Sequence, residues 1–414
     1  MLAILGLGYV GLGLATALSR EMPVMGYDIN VARIEQLIKH IDTNLLISSD
    51  ELKRSPVRYT HQLDDLKAAN FYIVVVPTPT DKNGTPDLTL LKSACETVGQ
   101  IIKKNDVVVF ESTVYPGTTE EICIPILEQV SQFKSGRDFY VGYSPERINP
   151  GDNQHTLKTV PKVMGAQHPI ALKKMQAVYG AVCDVIYPVS NIATAEAVKI
   201  LENTQRDVNI AFMNEFAKIM HALNIDSQEV IEGSKTKWDF FPIQPGLVGG
   251  HCISIDPLYL AFQAKRHGVE PNMILTARKI NDGMTQFIIQ EFLKLMIKGR
   301  RLKTLQVGVL GMTYKANVKD MRNSLSLQLV QELKEYGFEV HTQDPFYPAG
   351  IQLEEQQVMH DLDAVIIAVA HDAYKKLGLA AILKSCVSSF IIMDFPGIFI
   401  DEAKKFPKVA YWHL

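Results

Sequence analysis

Strand-length apolar runs alternate along this chain with stretches of helical spacing. Residues 2–5 are wholly apolar, 12–19 carry a helical pattern, and a second apolar run follows at 23–27. Continuous β-branched and aromatic runs recur at 71–76, 107–111 and 139–143, as expected of parallel strands buried on both faces. From 191 to 223 the period changes. Ala195, Val198, Leu201, Val208, Phe212, Phe216, Ile219 and Leu223 form an apolar stripe on a long helix that no proline interrupts. Helical spacing at 257–268 and 272–298 keeps the middle of the chain mostly α. Strand-type runs return at 304–310, 339–342, 364–369 and 390–394, with a helix predicted at 325–336.

Composition narrows the class. At 414 residues the chain is too long for one ordinary core, so two or three domains are expected. Hydrophobic residues at 47% and charged residues at 21% describe a well-supplied globular protein. A net charge of −3 exerts no general pull toward nucleic acid or an anionic membrane. The apolar runs fall far short of a membrane span. No basic segment precedes the first apolar run, so no secretory signal is expected. Cys95, Cys123, Cys183, Cys252 and Cys386 are widely spaced, with no CxxC pair. This argues against a metal site or a disulfide framework and favours a reducing, cytoplasmic setting.

The first apolar run leads directly into Gly6-Leu7-Gly8-Tyr9-Val10-Gly11, and the second ends at Asp28. Strand, GxGxxG, helix, strand and acid together make the dinucleotide fingerprint. Gly6 allows the tight turn, Gly8 the approach of the pyrophosphate, and Gly11 the close helix–strand packing. Asp28 suits the ribose hydroxyls and repels a 2′-phosphate, which favours NAD; Arg33 weakens that preference slightly. The 71–76 run ends in Pro77-Thr78-Pro79-Thr80, and 107–111 ends in Ser112-Thr113. Both turns should lie at strand carboxyl ends and line the cofactor, although Thr80 and Thr113 also suit plain turn or capping roles. Glu146 and Arg147 follow the 139–143 run at the same rim. Lys199 and Asn203 stack on one face of the long helix, while Glu196 and Glu202 read as solvated neighbours. Gly249-Gly250-His251-Cys252, with Asp256 beyond it, is a loop free enough to lie against a ligand. Its cysteine is a nucleophile, a metal ligand or an inert small hydrophobe. The last third repeats strand, helix, strand without GxGxxG, and its Lys315, Lys319 and Arg322 form a phosphate-facing cluster or a solvated turn. The expected architecture is α/β: two Rossmann-like doubly wound domains (1–190 and 296–414) joined by a long central helix and a helical dimerisation domain (191–295).

These motifs, in this order, closely resemble the nucleotide-sugar 6-dehydrogenases of the UDP-glucose/GDP-mannose dehydrogenase family. The resemblance spans essentially the full length and adds Tyr314-Lys315 and Asp320-x-Arg322 to the motifs above. It implies oxidation of the sugar C6 hydroxymethyl to a carboxylate with two NAD in succession. Cys252 would be the nucleophile, passing through a thiohemiacetal and a thioester. Glu146, Thr113 and Asp256 would activate the hydrolytic water; Lys199, assisted by Asn203, would stabilise oxyanion charge. Gly6, Gly8, Tyr9, Val10, Gly11, Asp28, Arg33, Pro77, Thr78, Thr80, Thr113 and Arg322 would contact the cofactor. Glu146, Arg147, Lys199, Asn203, Gly249, Tyr314 and Lys315 would contact the UDP-sugar.

The departures bear on the sugar. Ile255 stands where the UDP-glucose branch has a lysine, and the lead-in Gln244-Pro245-Gly246 is similar to the branch that oxidises UDP-N-acetylhexosamines. Within it, Thr236-Lys237-Trp238 points to UDP-N-acetylglucosamine or UDP-N-acetylgalactosamine, with UDP-N-acetylmannosamine and UDP-glucose as alternatives. Nothing in the sequence separates the C4 epimers. His251 either favours the thiolate beside it or is structural. Product for surface polysaccharide synthesis, a homodimer across the long helix and no metal complete the expectation. The rivals are a one-step hydroxyacid or phosphogluconate-type dehydrogenase, a non-catalytic nucleotide-sugar sensor and a zinc alcohol dehydrogenase.

Overall fold

The computed structural model describes the chain apart from residues 45, 82–83, 149–153, 251, 299–304 and 347–359. The chain divides into two compact units, Met1–Asn203 with Leu258–Glu270, and Thr204–Pro257 with Pro271–Leu414.

In the first unit the apolar runs become β1 (Leu2–Leu5), β2 (Val24–Tyr27), β3 (Arg58–Thr60), β4 (Phe71–Val74), β5 (Val107–Phe110), β6 (Tyr140–Tyr143), β7 (Lys162–Ala166) and β8 (Ile186–Pro188). They form one sheet in the order β3-β2-β1-β4-β5-β6-β7-β8. All neighbours are parallel except β6 and β7. Leu2 lies opposite both Val24 and Phe71, which puts the reversal of strand order between β1 and β4, where doubly wound sheets bind ligands. The strands lack polar alternation because both faces are covered. Leu2, Ile4, Phe71, Ile73, Val107 and Val109 share one core cluster, and Ala3, Tyr72 and Val108, facing the other way, are equally buried.

The helix expected at 12–19 starts earlier, at Tyr9, and runs to Leu18. Glycine is a poor helix former, but here packing overrides propensity. A Cβ on Gly11 would sit 1.9 Å from the Gly6 carbonyl oxygen, so only hydrogen fits between loop and helix. Gly6, at φ +97, presses against the Val75 carbonyl. The helical stretch expected over 272–298 is two helices, Asn272–Asp282 and Met284–Lys298, divided at Gly283.

The long helix is Ile192–Ala222, 31 residues. Its stripe departs from expectation. Of the eight apolar residues only Ala195 is buried, whereas Leu201, Phe212, Ile219 and Leu223 are exposed. The inward face instead mixes Ile192, Ile200, Ala211, Met213 and Ala217 with the polar Glu196, Asn203, Thr204, Asp207 and Asn214, of which Glu196 and Asn214 reach neighbouring loops.

The second unit contains β9 (Gln306–Leu310), β10 (Glu339–Gln343), β11 (Leu362–Ile367), β12 (Cys386–Asp394) and β13 (Ala410–His413). Their sheet is wholly parallel, in the order β10-β9-β11-β12-β13. One face packs on Ile288, Phe292 and Leu329, the other on Tyr374, Leu379 and Phe399.

Gly11→Ala should destabilise the protein by roughly 1–3 kcal/mol, the usual cost of overpacking a site that cannot move. Denaturant unfolding checks this, and wild-type stability would contradict the steric reading of the loop.

Candidate active site

The glycine loop shapes a cradle at the end of β1. Gly6 and Gly11 are closed by backbone, but space beside Gly8 is open, as a pyrophosphate approach requires. A cavity of about 340 Å³ continues from it, lined by Gly8, Asp28, Asn30, Arg33 and Thr43 among others. Asp28 takes the Leu7 N–H at 2.9 Å and the Asn30 N–H at 2.9 Å, which holds its carboxylate at the cavity wall. Arg33 donates to the Leu7 carbonyl at 3.1 Å and pairs with Asp42 at 2.8 Å. That commitment occupies Nε and Nη1, while the buried Nη2 has no partner among the described residues. A dinucleotide with free ribose hydroxyls fits this donor set. The second carboxyl-end turn joins the third: Val76 N–H donates to Ser112 Oγ at 2.9 Å, and Thr78 Oγ1 to the Thr113 carbonyl at 2.6 Å. Pro77, Thr78 and Thr113 therefore share one rim, which Tyr259 fixes by donating to the Thr78 carbonyl at 2.6 Å, while Thr80 forms a β-bridge with Pro86.

Glu196 contradicts the expectation of a solvated glutamate. It is fully buried, taking the Gly117 N–H at 2.6 Å and the Thr119 N–H at 2.9 Å. It thus caps the π-helical turn Thr119–Cys123 and ties the Thr113 loop to the long helix. Burial pushes its carboxyl up to about 7 against the opposing pull of Thr119 and Gly117. Glu202 also has a partner, Arg147, at 2.5 Å, and Arg147 donates further to the Pro161 carbonyl at 2.8 Å. Arg147 thereby straps the end of β6 to the lysine helix.

Glu146 follows β6 with one oxygen saturated, since Oε1 accepts the Arg147 N–H at 2.7 Å and the Ile148 N–H at 2.6 Å. Burial alone would raise its carboxyl. The Lys162 ammonium, the Ile148 N–H, the Lys199 ammonium and the Arg147 N–H outweigh it, so Glu146 stays below the usual carboxylate range. The fold brings Glu146 and Lys199 within electrostatic reach, with Asn203 buried one turn along the helix. Lys162 and its partner Glu111 were not found by sequence reasoning. The available signal was a lysine opening the strand-length run 162–166.

In the second unit, Cys252 sits in a turn whose carbonyl accepts the Asp256 N–H at 2.8 Å, opening the helix Asp256–Arg266. Its lead-in is pinned by Asn214, which takes the Gly246 N–H at 2.8 Å and donates to its carbonyl at 3.0 Å. Asn214 donates to Asn281 at 2.8 Å, and Asn281 to Asp207 at 2.7 Å, so a buried polar chain backs the loop. Asn323, at φ 52, donates to the Gly250 carbonyl at 3.1 Å and receives its N–H at 3.3 Å. A Cβ on Gly249 would fall 2.5 Å from the Asn323 carbonyl oxygen, and one on Gly250 2.7 Å from the Tyr314 ring. The glycines are thus required by contact, and Gly249 and Tyr314 both border the loop. His251 lies outside the described residues. Cys252 is partly exposed, whereas Cys95, Cys123 and Cys183 are buried. The neighbouring Cys95 thiol and burial push Cys123 up; burial pushes Cys183 to about 11 and Cys386 to about 12.

The acid ending β10 is treated unlike Asp28. Asp344 is buried, accepts the Met312 N–H at 2.5 Å and the Thr313 N–H at 3.0 Å, and lies 3.1 Å from His371. Its carboxylate is thus occupied by its own domain rather than held at an open cavity. Arg322 is bidentate on Asp320, at 3.0 and 2.6 Å, beside the loop bearing Lys315 and Lys319.

Comparison with known proteins gives these arrangements a family. Models of the UDP-glucose/GDP-mannose dehydrogenase family match three segments: the NAD binding domain at 1–183, the central domain at 193–283 and the UDP binding domain at 308–401. The chain is similar to Protein CapL of Staphylococcus aureus, 43% identical over 410 residues and 96% of each chain. It is similar to UDP-N-acetyl-D-glucosamine 6-dehydrogenase of Pseudomonas aeruginosa, 41% identical over 412 residues and 97% of each chain. Among solved structures, the UDP-D-ManNAc dehydrogenase of Pyrococcus horikoshii matches with a TM-score of 0.90 at 32% identity, covering 100% of this chain and 98% of that one. Among the described residues no helix is long and apolar enough to cross a membrane. With an NAD-binding fold, a UDP-binding fold and the intervening cysteine loop all accounted for, the chain belongs to the UDP-glucose/GDP-mannose dehydrogenase family and is an NAD-dependent nucleotide-sugar dehydrogenase.

Proposed function

We propose that this enzyme oxidises the C6 hydroxymethyl of UDP-N-acetylglucosamine or UDP-N-acetylgalactosamine to the uronic acid, making a precursor for surface polysaccharide. The observation that carries this reading is the 41% identity to a UDP-N-acetyl-D-glucosamine 6-dehydrogenase across 97% of both chains. A UDP-N-acetylmannosamine substrate is the second reading, favoured by a relative of that name from Pyrococcus horikoshii, 34% identical over 402 residues. Functionally the chain works as an NAD-binding segment (1–190), a helical segment with the cysteine loop (191–295) and a UDP-sugar segment (296–414). It acts in the cytoplasm as a homodimer. The exposed Leu201, Phe212, Ile219 and Leu223 on the long helix support a partner surface.

NAD, held by the glycine loop, Asp28 and the hydroxyl turns, supplies the hydride acceptor for each of the two oxidations. The chain's own residues do the rest. Cys252 adds its sulfur to the C6 aldehyde, and Lys199 with Asn203 stabilises the oxyanion that forms. Glu146, supported by Thr113 and Asp256, takes a proton from water as the thioester is hydrolysed and the thiolate leaves. Its depressed carboxyl supports a base that is ionised at neutral pH. Lys315 binds the diphosphate of the UDP-sugar, Tyr314 and Gly249 also contact the substrate, and Arg322 serves the cofactor. The partial exposure of Cys252, against the burial of Cys95, Cys123 and Cys183, supports it as the nucleophile.

Turnover of UDP-N-acetylglucosamine, its galacto and manno epimers and UDP-glucose, with NADH counted per sugar, tests the assignment. Two NADH per molecule of a gluco or galacto N-acetyl sugar is expected, and one NADH would exclude the four-electron route. Cys252→Ser should lower steady-state kcat by roughly a thousandfold or more, and an unimpaired variant would exclude covalent catalysis. Light scattering at micromolar concentration should report a dimer.

A further inference from the structure

We propose that Lys162 is a positioning residue for this reaction, the buried counter-ion that holds Glu146 as a carboxylate, itself anchored from behind by Glu111 and Tyr179. The proposal rests on Glu146 acting as the base in thioester hydrolysis. Lys162 opens β7, and its side chain is 4% exposed. Its Nζ lies 3.1 Å from Glu111 Oε2 and 3.4 Å from Glu146 Oε2. Glu111, wholly buried, accepts the Tyr179 hydroxyl on its other oxygen, and the ammonium lies 5.2 Å from the Tyr179 ring centroid. Tyr179 and Glu111 thus fix the lysine on the side away from Glu146.

The division of labour on Glu146 is informative. Two backbone N–H groups occupy Oε1, so the carboxylate plane is set without the lysine. Oε2 faces Lys162 at the longer distance, and the Glu146 side chain remains 13% exposed. The ammonium therefore supplies charge while leaving this oxygen a lone pair for water. A purely structural cluster has no need of ions, since buried ion pairs are commonly replaced by apolar groups without loss of stability. Retaining three ions, one of them reaching the surface, suits a group that must stay charged.

The groups facing Glu146 come from every element packed on it. Glu111 follows β5, Lys162 is on β7, Lys199 is on the long helix, and Tyr179 and Cys183 come from the helix Pro169–Tyr179 and the turn after it. Arg147 beside it is paired with Glu202. Tyr179 and Cys183 are held neutral by burial. Burial pushes the Glu111 carboxyl up against the pull of Lys162, so the local charge is set by two glutamates, the inner one the more readily protonated, against Lys162 and Lys199. Without Lys162, two carboxylates share a dry region with one ammonium, and a proton is taken up.

In hydrolysis the water oxygen bonds to the thioester carbon, the C–S bond breaks with its electrons on Sγ, and the water proton passes to Glu146. A Glu146 already protonated cannot take it. Lys162→Met should therefore move the acid limb of the kcat–pH profile upward by roughly one to three pH units. Activity should fall more than about tenfold near pH 6 and largely recover near pH 9. Lys162→Arg should keep the wild-type limb. Rapid mixing of Lys162→Met near pH 6 should show a burst of two NADH per site followed by slow turnover, because hydrolysis alone is slowed. The double variant Glu111→Gln/Lys162→Met preserves the net charge of the cluster and, where the single variant folds poorly, should still show an upward shift, smaller because one carboxylate then faces the Lys199 ammonium. A loss that is independent of pH in both variants, or an absent burst, would overturn the counter-ion role. Glu146→Gln separates the two ideas: an inactive Glu146→Gln enzyme with no limb shift in the lysine variants removes Lys162 alone. An active Glu146→Gln enzyme removes the base and the proposal with it.

Discussion

A charge kept in a place that water scarcely reaches is the constraint behind the N-terminal half of this enzyme. Glu146 lies beyond the carboxyl end of a buried strand, where the sheet that positions it also strips its solvent. Burial by itself would neutralise the carboxyl, and the fold answers with charges and donors from several elements. Lys162 comes from β7, the antiparallel neighbour of β6, Lys199 from the long helix, and two N–H groups from the turn itself. Each partner needs support in turn, which is why Glu111, Tyr179 and the Arg147–Glu202 strap are drawn in. Desolvation thus dictates a network, because one buried ion requires compensation and its compensator requires the same.

A second theme is the use of polar side chains as backbone clamps. Glu196 caps the loop of Thr113, Asn214 exchanges two hydrogen bonds with Gly246, and Asn323 exchanges two with Gly250. Loops that carry chemistry cannot be held by strand pairing, and apolar packing has no directional preference. Side-chain carboxylates and amides supply the donors and acceptors that such backbone would otherwise lack. This explains why the long helix buries Glu196 and Asn214 among its apolar residues.

The two nucleotide folds differ by one turned acid. Asp28 stands at an open cavity with its carboxylate steadied by two N–H groups. Asp344 ends the equivalent strand but is withdrawn among Met312, Thr313 and His371. Burial disfavours its charge, yet His371 and the surrounding N–H groups keep it below the usual range. The same strand-end acid therefore stands at an open cavity in one domain and is buried among its own neighbours in the other.

Much of this was legible in the residues alone. Continuous apolar runs announced parallel strands, since a strand covered on both faces needs no polar side. The spacing of Gly6, Gly8 and Gly11 before Asp28 announced the cofactor, because steric demands on a phosphate loop are local. The ordered motifs around Glu146, Lys199 and Cys252 announced the family. The burial of Glu196, the exposure of Leu201 and Phe212, the break at Gly283 and the Lys162–Glu111 pair were decided only by tertiary structure. Periodicity reports which residues share a face, but not what covers that face. A charged residue in an apolar run is likewise silent about its partner, which lies 51 positions away in the case of Lys162 and Glu111. Local sterics and hydrophobic pattern are written in sequence order, whereas electrostatic compensation is settled by whichever groups folding brings together.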